Sequence, residues 1–135
     1  MFCFFKLKYL KERTLMVKKP ISERYVSLPE VKEILLNVKE KLEEYYEEFG
    51  SVQEYSLEHA KAYSKMDAVV ARKIIQMLVN EYQLSESLAV QIVNISPDYV
   101  YELKVIFEKD SELKYLDDDK LQEMLYKIND IRDAE

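Results

Sequence analysis

Few residues of this 135-residue chain are of types that could do chemistry: one histidine, one cysteine and a run of three aspartates. His59, in Leu57-Glu58-His59-Ala60, is a candidate general base. Its neighbour Glu58 would project about 100° away around a helix and cannot easily orient the ring. Ser56 and Ser64 stand in no strained turn that would present a nucleophile, and Cys3 is not placed to act as one. A packing or hydrogen-bonding role is therefore expected for His59. Asp117, Asp118 and Asp119 suggest a cation site, but successive residues entering a helix point in different directions. No Asp-x-Asp-x-Asp-Gly loop closed by a glutamate accompanies them. Helix capping, with the positive end of the helix dipole, accounts for them better. Gly50 is the single glycine, so neither a dinucleotide fingerprint nor a phosphate-cradling loop can be built. The lone Cys3 excludes an internal disulfide and a four-cysteine zinc site. The expectation is a chain with no catalytic, cofactor-binding or metal-binding residue and no small-molecule substrate.

The elements must then be read for what they present to a partner. With 48% hydrophobic and 34% charged residues, one glycine and three prolines, the composition favours an all-α helical bundle over a turn-rich β fold. The net charge of −6 is unevenly placed. Residues 1–20 hold six lysines and arginines against Glu12, a balance of +5, which leaves −11 for the remainder. An acidic body repels a phosphate backbone. The leader Met1-Phe2-Cys3-Phe4-Phe5 is too short for the apolar part of a signal peptide, and no apolar run reaches the roughly 18–20 residues that span a bilayer. Residues 1–20 are expected to be a disordered basic extension.

Periodicity gives six helices. Pro29 opens the first, whose stripe is Val31, Ile34, Leu35, Val38 and Leu42, extended by Tyr45, Tyr46 and Phe49, with Gly50 as its left-handed stop. Ser51 and Glu54 form a capping-box pattern for a second helix with Val52, Tyr55, Ala60, Tyr63 and Met66 on or near one face. Asp67 caps a third, bearing Val70, Ile74, Met77, Leu78 and Tyr82, and Ser85 a fourth, bearing Leu88, Ala89, Ile92 and Ile95. Ser96 and Pro97 are expected to start the fifth, with Val100, Leu103, Ile106 and Phe107. Asp117 or Asp118 caps the last, with Leu121, Met124, Leu125, Ile128 and Ile131. The clean seam lies at Gly50-Ser51.

Before these helices, Glu23-Arg24-Tyr25-Val26-Ser27-Leu28 reads as a short strand with no second strand to pair with. Strand backbone groups need partners, so the economical reading is an edge completed by another chain. Eleven tyrosines without tryptophan favour a binding surface over an active site.

Four blocks then carry a resemblance. They are Arg24-Tyr25-Val26-Ser27-Leu28-Pro29-Glu30-Val31-Lys32-Glu33-Ile34-Leu35; Tyr55-Ser56-Leu57-Glu58-His59-Ala60-Lys61 with Ser64-Lys65-Met66; Leu84-Ser85-Glu86 with Ala89-Val90-Gln91-Ile92-Val93-Asn94-Ile95-Ser96-Pro97; and Glu102-Leu103-Lys104-Val105-Ile106-Phe107-Glu108-Lys109. In this order they resemble the smaller of the two stalk proteins of archaeal DNA-directed RNA polymerase, relative of the fourth subunit of eukaryotic RNA polymerase II. The resemblance implies an archaeal, cytoplasmic, non-catalytic component of the polymerase. Residues 51–131 would form a domain like the helicase-and-RNase-D C-terminal (HRDC) fold, preceded by a partner-binding strand and long helix over 21–50 and followed by a tail, 132–135. It implies a stalk heterodimer with the larger stalk protein, which carries an S1-like OB domain, and through it contact with the polymerase core. The pair would support open-complex formation, elongation and termination, touching nascent RNA mainly through the partner. Partner-binding is then expected of Tyr25, Val26, Leu28, Val31, Ile34, Leu35 and Val38. The alternative is a free-standing HRDC-like nucleic-acid-binding module, with RNA contact at Lys61, Lys65, Arg72 and Lys73.

Overall fold

Ser27 starts the helical body of the protein. The computed structural model describes residues 20–134; the basic extension up to residue 19, with Cys3, and the last tail residue lie outside it. Residues 22–27 run without regular structure into α1 (Leu28–Glu44), followed by α2 (Ser51–Tyr63), α3 (Ala68–Tyr82), α4 (Glu86–Ile95), α5 (Val100–Phe107), a 3-10 turn (Leu113–Tyr115) and α6 (Asp118–Asp133). The described residues are thus all-helical, as the composition implies. No helix among them is long and apolar enough to cross a membrane.

The expected N-terminal strand does not appear among the described residues. Ser27 is extended, but its N–H donates to Glu30 Oε2 (3.1 Å), and the Leu28 N–H donates to Asn94 Oδ1 of α4 (2.9 Å). Groups that a strand edge would leave for a neighbour here serve a helix start. A buried carboxylate, Glu30, sits in the first turn, where the helix dipole favours it.

Three boundaries differ from the sequence reading. Helix α1 ends at Glu44, and the left-handed residue is Tyr46 (φ 56°), not Gly50. Gly50 instead precedes α2 with an ordinary φ of −67°, its N–H donating to Gln53 Oε1 at 2.8 Å. The capping arrangement is therefore one residue earlier than Ser51/Glu54, and Glu54 is released to pair with Lys39 across the hairpin (3.2 Å). Ser96 does not start α5. It is left-handed (φ 52°) and closes α4, its N–H bonded to Ile92 O, while Glu102 accepts from the Asp98 and Tyr99 N–H groups at the true start. Ser85 and Asp117 cap α4 and α6 through their side chains, as expected.

Two apolar clusters hold these helices. The larger joins α3–α6 around Ile74, Leu78, Ile92, Leu103, Phe107 and Met124. Arg132 staples the end of α6 to the α4–α5 turn through Ser96 Oγ (2.9 Å) and Asp98 (3.2 Å). The smaller cluster consists of Val26, Val31, Leu35, Leu57 and Ala60, with Phe49 at its edge, and welds α1 to α2. Helix α1 also rests on α3, where Arg72 grips Glu33 with both guanidinium nitrogens (2.6 and 3.4 Å).

Candidate partner-binding face

The α1–α2 hairpin sorts its side chains by helical angle. On α1, Val31 and Leu35 point to α2; on α2, Leu57 and Ala60 point back. Lys39 and Glu54 bridge one edge of the hairpin, with Lys39 also over the Phe49 ring at 5.5 Å. At about 100° per residue, Ile34 and Val38 flank the inner stripe of α1 on the side away from Lys39, and Val52, Ser56, His59 and Tyr63 form a row on the corresponding flank of α2, away from Glu54. Because the helices run antiparallel, the two rows share one face.

That face is chemically unlike the rest of the surface. Val52 is 76% exposed, Tyr55 beside the row 72% and Tyr63 59%. Ile34, Val38 and His59 are half-buried, and the His59 ring lies 4.7 Å from that of Tyr63. The α2 row contains no Lys, Arg, Asp or Glu, because Glu54, Glu58 and Lys61 fall on another side of the helix. On α1, Glu33, Glu40 and Glu43 project away from Ile34 and Val38, while the exposed Lys41, a turn beyond Val38, joins their row. Depletion of charge with enrichment of tyrosine marks the centre of protein–protein interfaces.

The seven residues expected to bind a partner divide into two groups. Val26, Leu28, Val31 and Leu35 are buried within the chain, at 9% exposure or less. Tyr25, Ile34 and Val38 stay accessible to a neighbour. The structure adds Val52, Tyr55 and Tyr63, which periodicity alone puts on or near the core face of α2. The Leu57–Ala60 spacing, continued by Gln53 and Ser64, is the signal that identifies the true inner stripe.

The four residues of the nucleic-acid alternative lie around the α2–α3 junction. Lys61, Lys65 and Lys73 are exposed. Arg72 is committed to Glu33, whose hydrogen bond raises the guanidinium above its ordinary value, while the same bond lowers the carboxyl. Lys61 shares its side of α2 with Glu54 and Glu58, so the cations do not form an unopposed basic patch. Among the described residues no three His, Cys, Asp or Glu side chains converge as metal ligands. Asp117 caps α6, and Asp118 pairs with Lys104 at 2.6 Å.

Known proteins share this sequence pattern. A family model described as RNA polymerase Rpb4 matches residues 25–132. The chain is also 30% identical over 99 residues to DNA-directed RNA polymerase subunit Rpo4 of Methanocaldococcus jannaschii, an alignment covering 73% of this chain and 81% of that one.

Proposed function

The chain belongs to the RNA polymerase Rpb4 family, and on that footing we propose that it is a non-catalytic subunit of a DNA-dependent RNA polymerase. In this reading it forms the stalk heterodimer with the larger, S1/OB-containing stalk protein. The observation that carries the pairing is the tyrosine-bearing face of the α1–α2 hairpin, whose α2 row is uncharged, with Val52, Tyr55 and Tyr63 held in water. A fold seldom leaves such a row uncovered unless something else covers it. Tyr25, Ile34 and Val38 extend the same contact. Through its larger partner the chain reaches the polymerase core and supports open-complex formation, elongation, termination and contact with nascent RNA. Residues 51–131 act as an HRDC-like helical unit, whose first helix, α2, is shared with the hairpin.

The nucleic-acid module is the weaker reading, since Arg72 is neutralised by Glu33 and the body is acidic. The test is co-expression with the larger stalk protein. Val52→Glu with Tyr63→Glu should abolish co-purification while the chain alone keeps its fold. Undiminished pairing would rule out this face as the contact.

A further inference from the structure

Residues 1–19 lie outside both the described residues and the family match, which begins at residue 25. Their composition is more than basic. Phe5-Lys6-Leu7-Lys8-Tyr9 alternates apolar and cationic side chains, Phe2 and Phe4 precede it, and Leu10 and Lys11 follow. Laid out extended, such a run sets rings on one side and lysines on the other.

The α1–α2 hairpin offers the complement. Around the loop that joins its helices, residues 43–48 hold four glutamates and no cation. Beside those carboxylates stand the exposed Tyr45, Tyr46, Val52 and Tyr55. Apolar area and negative charge thus meet at the loop end of the face, where rings and lysines are both accommodated. The tether reaches it. Val26 packs with Leu57 and Ala60, so the chain before it emerges at the other end of the hairpin, where α1 begins and α2 stops. The 17 residues of α1 span about 25 Å, whereas the 14 residues from Lys6 to Lys19 can extend over about 45 Å. A tether of this length holds its end at an effective concentration on the order of millimolar, so contacts too weak to retain a free peptide suffice.

We propose that residues 2–11 fold back over the α1–α2 face of their own chain and cover it until the partner displaces them. The rings of Phe2, Phe4 and Phe5 lie on Val52 and Tyr55, and Lys6, Lys8 and Lys11 meet the glutamates of the loop. The displacement rests on the heterodimer reading; the cover itself does not.

Cys3 is the single cysteine, so a nitroxide can be attached beside the phenylalanines of the ¹⁵N-labelled full chain without further substitution. Paramagnetic broadening is expected over the exposed residues of 43–59, with α5 and α6 spared. Phe2→Ser/Phe4→Ser/Phe5→Ser should abolish it, as should Val52→Ser/Tyr55→Ser at exposed positions. Broadening restricted to residues 20–27 beside the tether, equal broadening over α3–α6, or persistence in either variant would overturn the proposal. So would broadening of unlabelled ¹⁵N chains mixed with nitroxide-bearing ones, which would give the face to a second copy. The triple variant should also bind the larger stalk protein about three- to tenfold more tightly, as a competent fraction of about a third to a tenth rises to one. Equal affinity would refute displacement. Absence of any binding would refute the heterodimer reading instead, and the broadening, which needs no partner, would still decide the cover.

Discussion

Charge placed on the two sides of the α1–α2 hairpin should have opposite consequences. Leu35 is 9% exposed, so Leu35→Asp forfeits about 1.5–3 kcal/mol of burial. It also leaves a carboxylate without a partner in the small apolar cluster, at several kcal/mol more. Against a typical domain stability of about 5–15 kcal/mol, that is enough to unfold the hairpin. Val26→Asp acts alike, for the same reason. Val52 and Tyr63 are 76% and 59% exposed, so in the free chain Val52→Glu and Tyr63→Glu lose only the fraction already buried, about 1 kcal/mol or less each. In a heterodimer that covers this face, both side chains lose their burial and two carboxylates are stranded. A combined cost of about 4 kcal/mol corresponds to roughly a thousandfold in Kd. Urea unfolding of each free variant, paired with affinity measurement for the larger stalk protein, separates the two effects. The reasoning fails if Val52→Glu/Tyr63→Glu unfolds the free chain, or if Leu35→Asp leaves its stability untouched.

Three further outcomes follow from the same geometry. Leu57→Ala, at a fully buried position of the smaller cluster, should cost about 2–5 kcal/mol. Hydrogen exchange should accelerate over 28–63 while α3–α6 retains its protection, because the larger cluster shares no buried residue with the hairpin. Tyr46 holds a left-handed φ of 56° with a 99% exposed side chain, so Tyr46→Gly should raise stability by about 0.5–1 kcal/mol in thermal unfolding. Glu33 has its carboxyl lowered from the ordinary 4.5, first by the Arg72 hydrogen bond. Its contribution is therefore present at neutral pH and is lost as pH falls through that lowered value. Glu33→Gln should be less stable than the native chain at pH 7, and urea unfolding of the two should converge in acid.

Helices are legible in the sequence where side-chain chemistry is redundant, and misread where one residue decides. Ser85 and Asp117 are identifiable caps because each precedes an apolar stripe that begins in the right register. Gly50 draws the expected end of α1 toward itself because glycine is the usual left-handed stop. The chain instead turns at Tyr46, an exposed position where a tyrosine meets little but solvent. Ser96-Pro97 carries two valid signals, a helix stop and a helix start. The stop prevails because Glu102, three residues after Tyr99, secures the later start with two backbone bonds. On α2 the many large residues outside the core obscure the inner stripe, which needs only Leu57 and Ala60 because the facing α1 surface is close and already bulky.

The strand-like reading of residues 23–28 fails at its C-terminal end, where Ser27 and Leu28 serve the start of α1. Apolar, β-branched residues near a chain's edge suggest a ladder to be completed, yet Val26 and Leu28 are consumed by the chain itself, and Asn94 meets the Leu28 N–H. The N–H groups of Ser27 and Leu28 are thus met within the chain and are not left for a neighbour. The unsatisfied quantity is side-chain area: Val52, Tyr55 and Tyr63 stand in water above a cluster of only five buried residues. A hairpin with so small an interior gains little from its own burial and more from being covered. An interface there would thus supply stability as well as address, as in obligate pairs whose folding and association are linked. The C-terminal helices, with their own larger core, have no such need.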